Sequence, residues 1–188
     1  MAIIGAKEKP MQPSQVIDFW TEAGPAHWFA RDESFDRAII ERFGAAHEAA
    51  AAGALAAWER TPEGALALLL LLDQFPRNMF RGQARAFATD AQALAIAERA
   101  IAAGFDSGFA LPLRRFFYLP AMHAEDLGWQ RRCEDLCAQA ADEEGVRFAA
   151  VHREIIERFG RFPHRNPLLG RATTPDEQAF LDAGGFAG

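Results

Sequence analysis

Apolar residues recur at helical spacing from end to end of the chain, and no stretch alternates with period two. Pro13 and Ser14 introduce Val16-Ile17-Asp18-Phe19-Trp20. Asp32 or Ser34 is placed to cap a helix that carries Phe35, Ile39 and Phe43 at steps of four, with Gly44 as its stop. Ala45 to Trp58 is rich in Ala and favours a further helix. Thr61-Pro62-Glu63 is a strong start signal, with Pro at the first helical position. It launches Leu66 to Leu72, apolar on all sides, and such a helix belongs at the centre of a core. Thr89-Asp90 opens a helix that Gly104 ends, and Leu111 to Tyr118 reads as a short aromatic helix ended by Pro120. Glu125 to Asp142 and Val146 to Phe159 follow, the latter closed by Gly160. Thr174-Pro175-Asp176-Glu177 caps a last helix through Leu181.

The pattern predicts an all-α fold of eight or nine helices, a single domain over 1–188 with short connections. Residues 1–12 form an N-terminal extension, and 160–173 an ordered irregular loop too rich in Phe, Leu and Arg for disorder. Ile39-Ile40-Glu41-Arg42-Phe43-Gly44 recurs as Ile155-Ile156-Glu157-Arg158-Phe159-Gly160, 116 residues on. That spacing is no multiple of a helical-repeat period, so two helices that end alike explain it better than a solenoid.

With 188 residues, half of them apolar, the chain can bury roughly two-thirds of its unfolded surface. No signal-peptide segment is visible at the N-terminus, and the greasiest run, Ala65 to Leu72, is far short of the ~20 residues that cross a bilayer. A soluble protein of the reducing cytoplasm is expected, with no membrane partner. Cys133 and Cys137, four apart on a helix, cannot close a zinc site alone; neither metal nor cofactor is implied.

A formal charge of −6 argues against general binding of nucleic acid. Its distribution says more. Arg77, Arg81 and Arg85 lie between Asp73 and Asp90 with no acid among them. Arg158, Arg161, Arg165 and Arg171 likewise lie between Glu157 and Asp176. The two windows total +7 and leave −13 for the remainder. The cations are Arg rather than Lys by 18 to 2, which suits bidentate binding of carboxylate or phosphate but also fits a biased base composition.

Three constellations could carry chemistry. The first is Asp73-Gln74-Phe75-Pro76-Arg77-Asn78, where Pro76 should push Phe75 out of helical geometry and end or kink the buried helix. It is either a helix end whose polar residues satisfy free carbonyls, or a carboxylate emerging from the core with an arginine partner. The second is His123-Ala124-Glu125-Asp126 with Gln130: His123 and Asp126 share a helical face, as a general base and its orienter would. Glu125-Asp126 equally fits a cap that complements the helix dipole. The third, Arg161-Phe162-Pro163-His164-Arg165-Asn166, clusters donors for an anion, or ties a loop to the acidic remainder. His152 shares a face with Phe148, Ile155 and Phe159 and reads as a core histidine; His27 and His47 offer nothing specific.

These phrases resemble the bacterial proteins grouped as domain of unknown function 924. The likeness runs from about Val16 to Leu181: Asp18-Phe19-Trp20, Trp28-Phe29, the run 73–78, Phe117-Tyr118-Leu119-Pro120, Met122-His123, Glu125-Asp126, the eight residues 159–166, and Leu169-Gly170-Arg171. Ala121, Ala124 and Thr173 depart from the family pattern. The resemblance implies a fold similar to the tetratricopeptide-repeat-like superfamily and no established activity.

Three functions are compatible. The foremost is a binding module for a small anionic ligand or peptide terminus in a cleft of Asp73, Gln74, Arg77, Asn78, His123, Glu125, Asp126, Arg161, His164, Arg165 and Asn166. The second is an enzyme with His123 or His164 as acid–base and Asp126 orienting it. The third is a protein-interaction scaffold with an apolar groove. Oligomeric state is not legible.

Overall fold

A computed structural model describes residues 10–186, and among these the chain is helical with no strand. In order come α1 (Pro13–Ala23), α2 (Pro25–Trp28) and α3 (Glu33–Ala51). Then α4 (Pro62–Leu69) passes through a π turn at Leu70–Gln74 into α5 (Phe75–Met79). There follow α6 (Asp90–Ala102), α7 (Leu119–Met122), α8 (Leu127–Gln139), α9 (Glu143–Phe159) and α10 (Pro175–Asp182). Short 3₁₀ turns fill the connections, including Leu113–Phe117 and Pro163–Arg165.

The apolar run is central. No side chain from Leu66 to Leu72 is more than 2% exposed, and α1, α3 and α6 pack around the rod formed by α4, the π turn and α5. Beyond it α8 and α9 pack along each other and join the core through α7. A smaller apolar cluster of Ile155, Ile156 and Phe162, with Phe180 and Phe186, closes the C-terminal end.

Several boundaries differ from the sequence pattern. Gly44 does not stop α3, which Asp32 caps by accepting from the N–H groups of Ser34 and Phe35. Glycine permits a helix end but does not force one, and the alanines after Gly44 carry the helix on to Ala51. The two copies of Ile-Ile-Glu-Arg-Phe-Gly are therefore unlike: the first lies inside α3, while the second ends α9 at left-handed Gly160, φ +69°. Where the pattern predicts a helix over Leu111 to Tyr118, the chain forms only a 3₁₀ turn at Leu113–Phe117, and Pro120 sits near the start of α7, where its missing N–H is harmless. Residues 1–9 of the expected N-terminal extension lie outside the described residues.

The largest departure is at Pro76. Phe75 stays helical, with φ −60° and ψ −38°, and the chain absorbs the proline by widening into a π turn. Phe75 N–H reaches back to Leu70 O, and Pro76 has no N–H to return. Side chains from two other elements serve the carbonyls of this turn. His47 Nδ1–H donates to Leu71 O (2.9 Å), and Thr89 Oγ1–H donates to Leu72 O (2.5 Å). His47 thus has a definite structural task that its sequence surroundings did not announce.

Candidate functional site

The π turn delivers Asp73 into the core, 2% exposed, and sets Arg77 one turn further on. Arg77 Nη1 donates to Asp73 O (2.6 Å) and lies 3.4 Å from the Asp73 carboxylate. Its main partner comes from α6: Nη1 and Nη2 donate to the two oxygens of Asp90 at 2.9 and 3.0 Å. This forked geometry is the one a guanidinium favours. Asp90 opens α6, where a negative charge also suits the helix dipole.

The second Phe-Pro turn is anchored by Glu125. Its carboxylate accepts from Phe162 N–H (2.8 Å) and from both terminal nitrogens of Arg171 (2.6 and 2.9 Å). So held, the 3₁₀ turn Pro163–Arg165 points Arg165 inward, where Nη1 donates to Asp90 Oδ2 at 3.4 Å. The two turns meet, and a single carboxylate joins them. Arg165 is only 6% exposed, its Nε is buried without a partner, and the rings of Phe87 and Phe162 lie 4.6 and 4.5 Å from its guanidinium carbon.

Histidines line the same region. His123 Nδ1–H donates to the Asp73 carboxylate at 2.8 Å. His152 Nδ1–H donates to Phe148 O at 2.8 Å, and its ring centroid is 6.4 Å from that of His123. The His164 ring packs on Phe162 and Phe186 at 5.7 and 5.4 Å, with a buried Nδ1 that has no partner.

Electrostatics separate the two arginines. Burial opposes the charge on Arg77, but Asp73 and Asp90 outweigh it and raise its pKa. Burial and the neighbouring Arg77 pull Arg165 down to about 10. Asp73 stays below the usual carboxylate range, because Arg77, His123 and Arg165 overcome its burial. All three histidines are held low: His123 by burial and Arg77, against Asp73; His152 by burial, with Arg165 assisting against its bond to Phe148; His164 by burial, Arg165 and His152, to about 4. At neutral pH the imidazoles are uncharged. With Nδ1 protonated toward Asp73, the Nε2 of His123 carries a lone pair.

Of the residues singled out in the sequence, Asp73, Arg77, His123, His164 and Arg165 come together, and Glu125 sits behind them as an anchor. Others go elsewhere. Asp126 does not orient His123: it is exposed and caps α8, accepting from Trp129 N–H. Arg161 and Asn166 turn to Glu177 at the start of α10. Asn78 donates to Asp36, and Gln74 is buried on the π turn. Asp90, Phe87 and Phe186 complete the cluster and were missed, while His152, read as a core histidine, is buried and hydrogen-bonded as expected and also borders the cluster. Asp90 had a visible signal, since it bounds the first acid-free window. Phe186 had none.

Two surface hollows, of about 380 and 440 Å³, lie elsewhere: one includes Arg158, Arg161, Asp176 and Glu177, the other Phe19, His27, Asp32 and Arg42. The histidine cluster lines neither. Among the described residues no group of His, Cys, Asp and Glu is arranged to hold a metal ion, and Cys133 and Cys137 are buried and free. No helix there is long and apolar enough to cross a membrane.

The molecule is thus an all-helical single domain whose two Phe-Pro turns close on a buried cluster of Asp, Arg and His. The chain belongs to the family described as bacterial protein of unknown function (DUF924), whose model matches residues 16–185. It is also similar to the solved structure of a protein of unknown function from Agrobacterium tumefaciens, with 49% identity and a TM-score of 0.89. That match covers 92% of this chain and 97% of the other. No curated protein matches.

Proposed function

We propose that this protein is a binding module for a small anion, taken at Arg165 between the two Phe-Pro turns. The observation that carries the reading is the under-satisfied state of Arg165. Among the described residues its guanidinium makes one hydrogen bond, at 3.4 Å, while its Nε is buried without a partner. A buried guanidinium short of acceptors costs stability, and an anion would supply them. His164 Nδ1, buried and unpaired on the preceding residue, supports the same placement. The aromatic rings beside Arg165 hold its fork in advance of binding, which lowers the cost of ordering it. Melting temperature and the histidine Cε1–H resonances, followed across phosphate, sulfate, carboxylates and peptide C-termini, test the reading. Binding should raise the former and move the His164 signal, and the Arg77→Ala/Arg165→Ala protein should respond to none of them. If no anion changes either quantity, or the variant responds equally, the reading fails.

The Asp73–His123 pair favours a second reading, acid–base catalysis on the bound anion. A buried carboxylate that fixes the tautomer leaves His123 Nε2 free to accept a proton. An Asp73→Asn protein that binds the anion normally but no longer turns it over would support this reading. An unchanged turnover would exclude it.

A further inference from the structure

The ring of Phe186 covers the histidines. Its centroid lies 4.5 Å from that of His152 and 5.4 Å from that of His164. The chain reaches this position by a fixed turn after α10. Gly184, at φ +79°, and Gly185 donate their N–H groups to Leu181 O and Phe180 O, each at 3.0 Å. A Cβ on Gly185 would stand 2.5 Å from the Phe180 ring, so this close turn requires glycine. Phe186 itself is only partly buried, at the rim of the small C-terminal cluster. It is a cover on polar groups more than a member of the core.

Phe162 connects that cover to the unpaired arginine. Its ring meets His152 at 5.6 Å and His164 at 5.7 Å, and lies 4.5 Å from the Arg165 guanidinium carbon. The slot filled by Phe186 and the free Nε of Arg165 therefore share one wall. Charge limits what fits. Arg77, Arg165 and Arg171 are balanced by Asp73, Asp90 and Glu125, so the site is close to neutral and one added negative charge is less unfavourable there than two.

On these grounds, and resting on the anion-binding reading above, we propose that the ligand is a monoanionic carboxylate bearing an aromatic or similarly flat apolar group. Its carboxylate docks on Arg165, and its ring takes the place that Phe186 holds against His152 and His164. The tail residue is thus a placeholder that the ligand displaces.

Calorimetric titration of phenylacetate, benzoate, phenyl phosphate and inorganic phosphate tests this on the whole protein and on Phe186→Ala and Phe186→Trp. Phenylacetate should bind, and bind better than either phosphate probe. Removing the competing ring should tighten phenylacetate roughly three- to tenfold, the scale of one aromatic contact, and the larger indole should weaken it. Tighter binding of the phosphate probes would overturn the ligand class and leave the anion-binding reading standing. Equal affinity of all three proteins for phenylacetate would overturn the placeholder. If no probe binds any of them, both readings fall together.

Discussion

Asp90 is the one carboxylate shared by both Phe-Pro turns, and replacing it by alanine tests whether that sharing holds the site. Three contacts would be lost: two from Arg77 at 2.9 and 3.0 Å, and one from Arg165 at 3.4 Å. The side chains are 16, 19 and 8% exposed for Arg77, Asp90 and Arg165, nearer to the buried than to the surface case. Breaking a buried pair costs about 3–5 kcal/mol, against about 0–1 kcal/mol at the surface. Arg77 keeps the Asp73 carbonyl and carboxylate, so the stranded cation is Arg165. Loss of a favourable charge at the start of α6 adds about 0.5 kcal/mol. The total comes to about 3 kcal/mol, or a melting temperature lower by roughly 6–12 °C for a chain of this size.

Urea unfolding of Asp90→Ala, Arg165→Met and the double variant measures the coupling directly. With Arg165 already apolar, Asp90→Ala should cost about 1–2 kcal/mol less than it does in the natural protein, because no buried cation is then stranded. If the two changes add to within about 0.5 kcal/mol, Asp90 does not hold Arg165, and the second turn owes its position to Glu125 alone.

Thr89→Val should cost about 1–3 kcal/mol by leaving Leu72 O without the Thr89 hydroxyl, while Thr89→Ser should be nearly neutral in the same unfolding assay. Gly64→Ala should cost about 1–3 kcal/mol, since the added Cβ would stand 2.0 Å from the backbone oxygen of Trp58; unchanged stability would mean that the Trp58 turn yields freely. His164 titrates near 4 when folded and near 6.5 when unfolded, so the unfolded chain takes up the proton first as pH falls. Its contribution is complete above pH 6.5 and is lost between there and about 4, up to about 3 kcal/mol. Stability measured from pH 7 to 4 should therefore fall less steeply for His164→Gln, and superimposable curves would contradict the assignment.

Helix starts were legible because they are local: the Asp32 and Thr174 caps and the Thr61-Pro62 opening all rest on residues within one turn. The behaviour of Gly44 and Pro76 was not, since in both cases the neighbours decide. Alanines carry α3 past the glycine, and His47 and Thr89, 24 and 17 residues from the carbonyls they serve, help stabilise the π turn. The same division holds at the site. Asp73 and Arg77 could be paired on helical spacing, whereas His123 reaches Asp73 across 50 residues and Arg165 reaches Asp90 across 75. Asp126 misled because its spacing from His123 fits a helix that begins only at Leu127.

The two acid-free windows looked like cationic surfaces, but the fold supplies most of their arginines with acids from elsewhere. Arg81 takes Asp36, Arg85 takes Glu48, Arg161 takes Glu177 and Arg171 takes Glu125. Arg158, with no acid partner among the described residues, lies over the rings of Phe159 and Phe180. Charge alone therefore marks no site here; what sets Arg165 apart is how poorly its one ion pair, with Asp90, satisfies it. Arg115 shows what a structural buried arginine looks like in this same molecule. It is 8% exposed, donates to both oxygens of Asp142 at 2.6 Å, lies 2.9 Å from Glu144, and has a raised pKa. Arg165 is buried at least as deeply, at 6%, yet has one long bond, an unused Nε and a lowered pKa. Stability accounts for Arg115 and works against Arg165. An arginine in so unfavourable a place, between two aromatic rings and beside three neutral imidazoles, is what the proposed anion-binding role requires, since a bound ligand would complete its hydrogen bonds.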